Sequence, residues 1–240
     1  DRTEGHGSVG SRSLFVGGTA MLSGIEDFLK EGRRLAAEEL EAATEDMEYE
    51  EGRFTVKGTH VGIGLFELAR RQAGGKFATK TKKELAGRSW PNGCHVAEVE
   101  IDPETGQVRL ERYFSVDDVG NAVNPMIVEG QIHGGIANGL GQAVLERTVY
   151  DEAGQLLTGS YMDYALPRAD DLPVLSGSLF EGAPCLTNPL GAKGTGEIGA
   201  VAGPPAIVHA VLDALRDHGI DRIDMPLYPQ KIWEALNTSA

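Results

Sequence analysis

Five glycines inside one helical pattern constrain this chain more than any other feature. From Asn124-Pro125 onward, Ile127, Ile132, Ile136, Leu140 and Val144 recur at helical spacing. The same stretch holds Gly130, Gly134, Gly135, Gly139 and Gly141. Each costs a helix about 1 kcal/mol relative to alanine. Something must therefore approach that helix closely, either another backbone or a ligand. Glycine is in excess throughout, at 32 of 240 residues, nearly twice its usual share of about 7%. It has no three-residue period, which excludes a collagen-like chain.

At 240 residues the chain is one large domain or two small lobes. It carries 36 acidic and 22 basic residues, a net charge of −14, so nucleic acid and anionic membrane surfaces are not expected partners. No apolar run is expected to approach the ~18 residues of a membrane span. Cys94 and Cys185 are the only cysteines, too few for a disulfide scaffold. The first residues, from Asp1, are loop-like and include neither an initiator Met nor a signal peptide. The chain is expected to be a fragment, a processed product or one piece of something longer.

Acidic residues concentrate over 26–51 and basic residues over 69–88. The acidic stretch overlaps a helical pattern through Leu22, Ile25, Phe28, Leu29, Leu35, Ala36 and Leu40, and its acids read as a solvated face. A second short helix is expected at 66–71. The basic stretch runs on through Gly74-Gly75 as an exposed loop. Strands are expected at 53–56 and 174–180 and in two hairpins. One pairs 95–101 with 108–113 around Asp102-Pro103-Glu104-Thr105-Gly106, where Pro fixes φ and Gly accepts positive φ. The other pairs 148–150 with 155–157. A further helix is expected to start at Pro204-Pro205 and end at His218-Gly219. Strands and helices alternate without a βαβ rhythm, so the fold class is α+β.

Four segments place polar residues and glycines where no core needs them. Gly5-His6-Gly7-Ser8-Val9-Gly10-Ser11-Arg12-Ser13 offers backbone N–H groups, hydroxyls and a guanidinium that suit a pyrophosphate, although composition alone favours a flexible tail. Val116 to Pro125 carries a strand end into a helix start, where Asn124 is either an N-cap or a ligand contact. The glycine-rich helix brings Gln131, able to read an amide-like edge, and His133, which has no second ligand at metal spacing. Asn188 to Gly199 resembles a phosphate loop but lacks Gly-x-x-x-x-Gly-Lys-Ser/Thr. Within it Glu197 lies between Gly196 and Gly199, where small neighbours leave a carboxylate approachable, as a general base requires.

Together these segments resemble the C-terminal half of the molybdopterin-binding large subunit of the xanthine dehydrogenase, aldehyde oxidase and carbon monoxide dehydrogenase type of molybdenum hydroxylase. The resemblance rests on Asp102-Pro103-Glu104-Thr105-Gly106, Asp118-Val119-Gly120 with Asn124-Pro125, Glu129-Gly130-Gln131-Ile132-His133-Gly134-Gly135, and Gly191-Ala192-Lys193-Gly194-Thr195-Gly196-Glu197. It runs from Gly10 to the C-terminal helix. Asn138 departs from the glutamine the family often has there.

The resemblance implies that residues 1–240 form the second molybdopterin-binding domain, with lobes over 1–88 and 89–240. It implies a molybdenum–molybdopterin cofactor, in the cytosine dinucleotide form, held without protein side chains on the metal. Glu197 is then the active-site base, taking a proton from the water-derived oxygen that is transferred to an aldehyde or N-heterocycle. Ser8, Gly10, Ser11, Arg12 and Ser13 fall at the family's contact with the pterin dinucleotide. Asn124 and Gln131 fall near the pterin, and Lys193 and Gly194 line the loop that delivers Glu197. Lys193, if it points inward, would stabilise the Glu197 carboxylate. The implied partners are the N-terminal half of the large subunit, an iron–sulfur subunit carrying 2Fe–2S centres and a flavin subunit carrying FAD, with a small-molecule substrate and a cytoplasmic location. A cofactor-holding or assembly module without activity of its own is the alternative. An unrelated glycine-rich nucleotide-binding protein is the second.

Overall fold

The computed structural model describes residue 5 and residues 7–238, which divide into two compact units. One is Leu14–Gly87. The other joins the described residues up to Ser13 to the chain from Arg88 onward. The N-terminal segment, expected in the first lobe, thus belongs with the second.

The smaller unit is built on α1 (Ser13–Glu39), which starts nine residues before its expected apolar stripe. The antiparallel sheet β1 (Met47–Glu50), β2 (Arg53–Val56) and β3 (Gly62–Gly64) and the short α2 (Leu65–Arg71) complete it. Glu51 and Gly52 both have positive φ, as the tight turn between β1 and β2 requires. Leu35, Ala36, Met47, Phe54, Ile63 and Leu68 form the core. The basic segment meets the acidic helix inside this unit. Arg71 bonds Glu39 and Glu67, Thr81 donates to Asp27 at 2.6 Å, and Phe77 stacks on Phe28 at 4.6 Å.

In the larger unit β4 (Asn92–Ile101) and β5 (Val108–Asp118) form the expected hairpin, each longer than the alternation suggested. β6 (Leu175–Leu179) joins β5 in parallel. The second expected hairpin shrinks to one bridge, Tyr150 to Leu156. α3 (Pro125–Leu140) runs into a π-helical turn at Gly141–Leu145. α4 (Ile198–Leu215) and α5 (Pro229–Thr238) follow, with Gly219 left-handed just beyond α4. Tyr113, Ile132, Ile136, Ile207, Val211 and Leu227 lie in one core.

α4 starts six residues earlier than expected, which puts Pro204 and Pro205 inside the helix. Proline there forfeits intrahelical hydrogen bonds, and close contact with α3 keeps the first turns helical. A Cβ on Gly199 would lie 2.4 Å from Ile132 O and 2.6 Å from Ile136 N. One on Gly135 would lie 2.8 Å from Gly199 Cα, and one on Gly139 2.8 Å from Pro204 Cδ. The approaching group is therefore another backbone at Gly135 and Gly139, while Gly130 and Gly134 face open space. Gly141 packs on Glu146 and Pro167. α4 with its terminal turn, Ile198–His218, is long and apolar enough to span a membrane by length and composition, with a mean hydropathy of 1.5. This corrects the expectation of no such run. The helix reaches that hydropathy because Ile207, Val211 and Leu215 are core residues packed among α3 and β4.

Two alanine substitutions on α3 and α4 separate close approach from propensity. Gly199→Ala is expected to destabilise the chain by about 1–3 kcal/mol through overpacking. Gly134→Ala, in open space, is expected to stabilise it by about 0.5–1 kcal/mol. Urea denaturation of both variants checks this.

Candidate active site

The end of β5 grips the loop that leads into α4. Lys193 N–H donates to Val119 C=O at 2.7 Å, and Asn121 N–H donates to Gly191 C=O at 2.9 Å. Asn121 Nδ2 donates to Leu190 C=O at 2.9 Å. The two backbones touch at Gly120 and Gly191, both at φ +64, where a Cβ on Gly120 would lie 2.1 Å from Gly191 O. Asn188 Nδ2, buried, donates to Ala192 C=O at 2.9 Å.

Lys193 Nζ reaches Asp118 Oδ2 at 2.6 Å, with the two side chains only 10% and 12% exposed. Burial alone would push the Asp118 carboxyl up. The Lys193 ammonium and the Gly120 N–H outweigh it and hold Asp118 below the usual carboxylate range. The ammonium expected to stabilise Glu197 is thus committed to Asp118. The backbone pairing of residues 119–121 with 191–193 brings residue 193 beside residue 118.

Beyond Lys193 the loop passes Ser89, whose Oγ accepts from Gly194 N–H at 3.2 Å. It ends at Glu197, the residue before α4. The Glu197 side chain makes no cap hydrogen bond. Its Oε2 instead accepts from Ser11 Oγ at 2.8 Å. A Cβ on Gly196 would lie 3.3 Å from Gln131 Oε1 and 3.5 Å from Ser11 Oγ. Ser11, Gln131, Gly194 and Glu197 therefore meet in one place, with Gln131 and Glu197 exposed.

The other expected residues divide. Ser8, Gly10, Arg12 and Ser13 belong to the turn that carries Ser11, and the Ser8 and Ser13 hydroxyls bond across it. Asn124 Oδ1 accepts from Ile127 N–H at 3.2 Å, so its side chain caps α3. His6 lies outside the described residues.

Two groups were not anticipated. Asp118 was legible as part of Asp118-Val119-Gly120, but its partner lies 75 residues away. His95 bridges Tyr113 and Asp117 at 2.9 Å each, with the His95 and Asp117 side chains 2% and 0% exposed. Burial, and then the Asp117 charge, push the Tyr113 hydroxyl well above its ordinary value. Among the described residues, the buried Asp117 Oδ2 has no hydrogen-bond partner. The signal for this group is the inward phase shared by residues 95, 113 and 117 of the hairpin.

Residues 1–173 match the family model of the molybdopterin cofactor-binding domain. A similar curated protein is the 6-hydroxypseudooxynicotine dehydrogenase complex subunit gamma of Paenarthrobacter nicotinovorans, 36% identical over 96% of this chain and 30% of its own length. The carbon monoxide dehydrogenase large chain of Hydrogenophaga pseudoflava is 33% identical over 97% of this chain and 30% of its own. Among solved structures, quinoline 2-oxidoreductase from Pseudomonas putida 86 superposes with a TM-score of 0.83 at 35% identity, over 98% of this chain and 31% of that one. The fold and these matches define a molybdopterin cofactor-binding domain. The chain belongs to the family of molybdopterin cofactor-binding domains, and spans about 30% of the length of the curated relatives it matches.

The Asp118–Lys193 pair gives a pH prediction. Its contribution is fully present above the ordinary Asp value of 3.8 and is lost as pH falls through the lower folded value. Lys193→Met leaves a buried carboxylate unpaired and is expected to cost about 3 kcal/mol near pH 7. The gap to the parent chain should close as the pH drops below that range, measured by chemical denaturation across pH.

Proposed function

We propose that this chain, joined to the remainder of a large subunit, forms the active site of a molybdenum hydroxylase that hydroxylates an aldehyde or N-heterocycle with oxygen from water. The net reaction converts a C–H bond and water to a C–OH group, two protons and two electrons. The observation that carries the reading is the meeting of Glu197, Ser11 and Gln131 around Gly196.

The donor set fits a pterin dinucleotide. The turn at 8–13 supplies the Ser8 and Ser13 hydroxyls, backbone N–H groups and the Arg12 guanidinium, which suit a pyrophosphate, while the one Ser11 hydroxyl proton goes to Glu197. Gln131 presents an exposed carboxamide that suits an amide-like heterocycle edge. Gly194 lets Ser11 approach, and Gly196 puts no side chain between Gln131 and Ser11. The pterin-held molybdenum supplies the two-electron chemistry when bound.

Glu197 accepts the proton released as the oxygen is transferred. Its exposed carboxylate at the start of α4 is open to a reactant, and Ser11 holds one of its oxygens. The Asp118–Lys193 pair acts at a distance, fixing the loop that carries Glu197. The cytosine dinucleotide form, the 2Fe–2S and FAD partner subunits that would carry electrons away, and the cytoplasmic location are parts of the same proposal. The 30% coverage of the relatives favours a site completed by further chain, and also leaves room for a module that holds cofactor without turning over.

In the assembled enzyme, Glu197→Gln is expected to lower kcat by about 10²–10⁴-fold with molybdenum content unchanged. Turnover at the parent rate would remove Glu197 as the base. Metal analysis of the chain expressed with and without the missing portion separates the alternatives. The proposal expects molybdenum and turnover only in the assembly, and the module reading expects molybdenum without turnover.

A further inference from the structure

A carboxylate on an exposed helix start turns freely about its own bonds. That freedom is costly for a base, because a misplacement of about 1 Å can cost ~10²-fold in rate. Among the described residues Glu197 has one side-chain hydrogen bond, from Ser11 Oγ to Oε2 at 2.8 Å, and Oε1 has none. Ser11 reaches that position through unusual backbone. Gly10 and Ser11 are consecutive left-handed residues, at φ +60 and +53. Glycine tolerates this, but a serine there is uncommon and strained. The turn is closed by the Ser8–Ser13 hydroxyl bond. It seats against Gly194, where a Cβ would lie 2.8 Å from both Ser11 Cβ and Ser11 O. Hydrogen bond, left-handed turn and bare glycine all serve one placement.

We infer that Ser11 is a positioning residue for Glu197, its hydroxyl fixing Oε2 so that Oε1 is the oxygen presented to the reactant. The inference rests on Glu197 being the base. The single Ser11 hydroxyl proton goes to Glu197, so Ser11 has none to donate to a pyrophosphate at the 8–13 turn.

The test uses the assembled, molybdenum-loaded enzyme. Ser11→Ala removes the hydroxyl and keeps the strained backbone. Ser11→Gly removes the hydroxyl and relieves the strain, so folding does not limit the pair. Molybdenum per complex is measured first, then kcat and KM per bound molybdenum. Both variants are expected to lose about tenfold or more in kcat, with KM and molybdenum content within about twofold of the parent. On a Glu197→Gln background the same substitutions are expected to leave the residual rate within about twofold, because no base remains to be placed. An unchanged kcat per molybdenum overturns the inference. So does a loss confined to molybdenum content, or a full further loss on the Glu197→Gln background. Parent-level turnover by Glu197→Gln alone is a different failure, that of the base assignment.

Discussion

The backbones of α3 and α4 touch where side chains would not fit, and that contact sets the candidate site from both sides. A Cβ on Gly199 would lie 2.4 Å from the carbonyl oxygen of Ile132. Ile132 directly follows Gln131 on α3, and Gly199 lies two residues beyond Glu197 on α4. Fixing 132 against 199 therefore fixes the two site residues relative to each other. The glycines forgo helix propensity of about 1 kcal/mol each, and in return the helices approach within backbone contact. The same contact keeps α4 helical before Pro204-Pro205. The turn that begins at Ile198, and so the place of Glu197, depends on it.

A second grip acts on the loop before α4. Residues 119–121, just past β5, and residues 191–193 exchange backbone hydrogen bonds and share two left-handed glycines, Gly120 and Gly191. The Asp118–Lys193 pair crosses the same junction, largely shielded from water. Residues 191–197 are thus tied to the sheet at one end and to the helix pair at the other. What lies between, Gly194 to Glu197, is short and small except for the carboxylate. A base on such a segment is both reachable and confined, as catalysis by proton transfer needs.

Local chemistry was legible in the sequence, and distant pairing was not. Asp102-Pro103-Glu104-Thr105-Gly106 announced its turn because Asp102 bonds Thr105 and Glu104 within it, and Gly106 takes φ +74. Asn124-Pro125 announced the start of α3 for the same reason. The helical glycines announced a close approach without saying to what. The start of α4 was misread because two prolines look like a first turn, and only α3 shows otherwise. The parallel pairing of β6 with β5 has no local signal. Glu197 stood out among small neighbours, and the 8–13 turn through its hydroxyls and glycines. That Ser11 donates to Glu197 across 186 residues, and that Lys193 turns to Asp118 instead, are products of packing.

The central claim is that the α3–α4 contact, and not helix propensity, holds the first turns of α4 and with them Glu197. Amide hydrogen exchange at Val201 tests it most directly. Its N–H donates to Glu197 C=O at 2.9 Å, and the residue is 72% exposed, so burial of its own side chain cannot protect it. The account predicts that Val201 exchanges about as slowly as Val211, which is buried farther along α4, both opening with the unit as a whole. Exchange at Val201 orders of magnitude faster than at Val211, as in a frayed helix end, would contradict it.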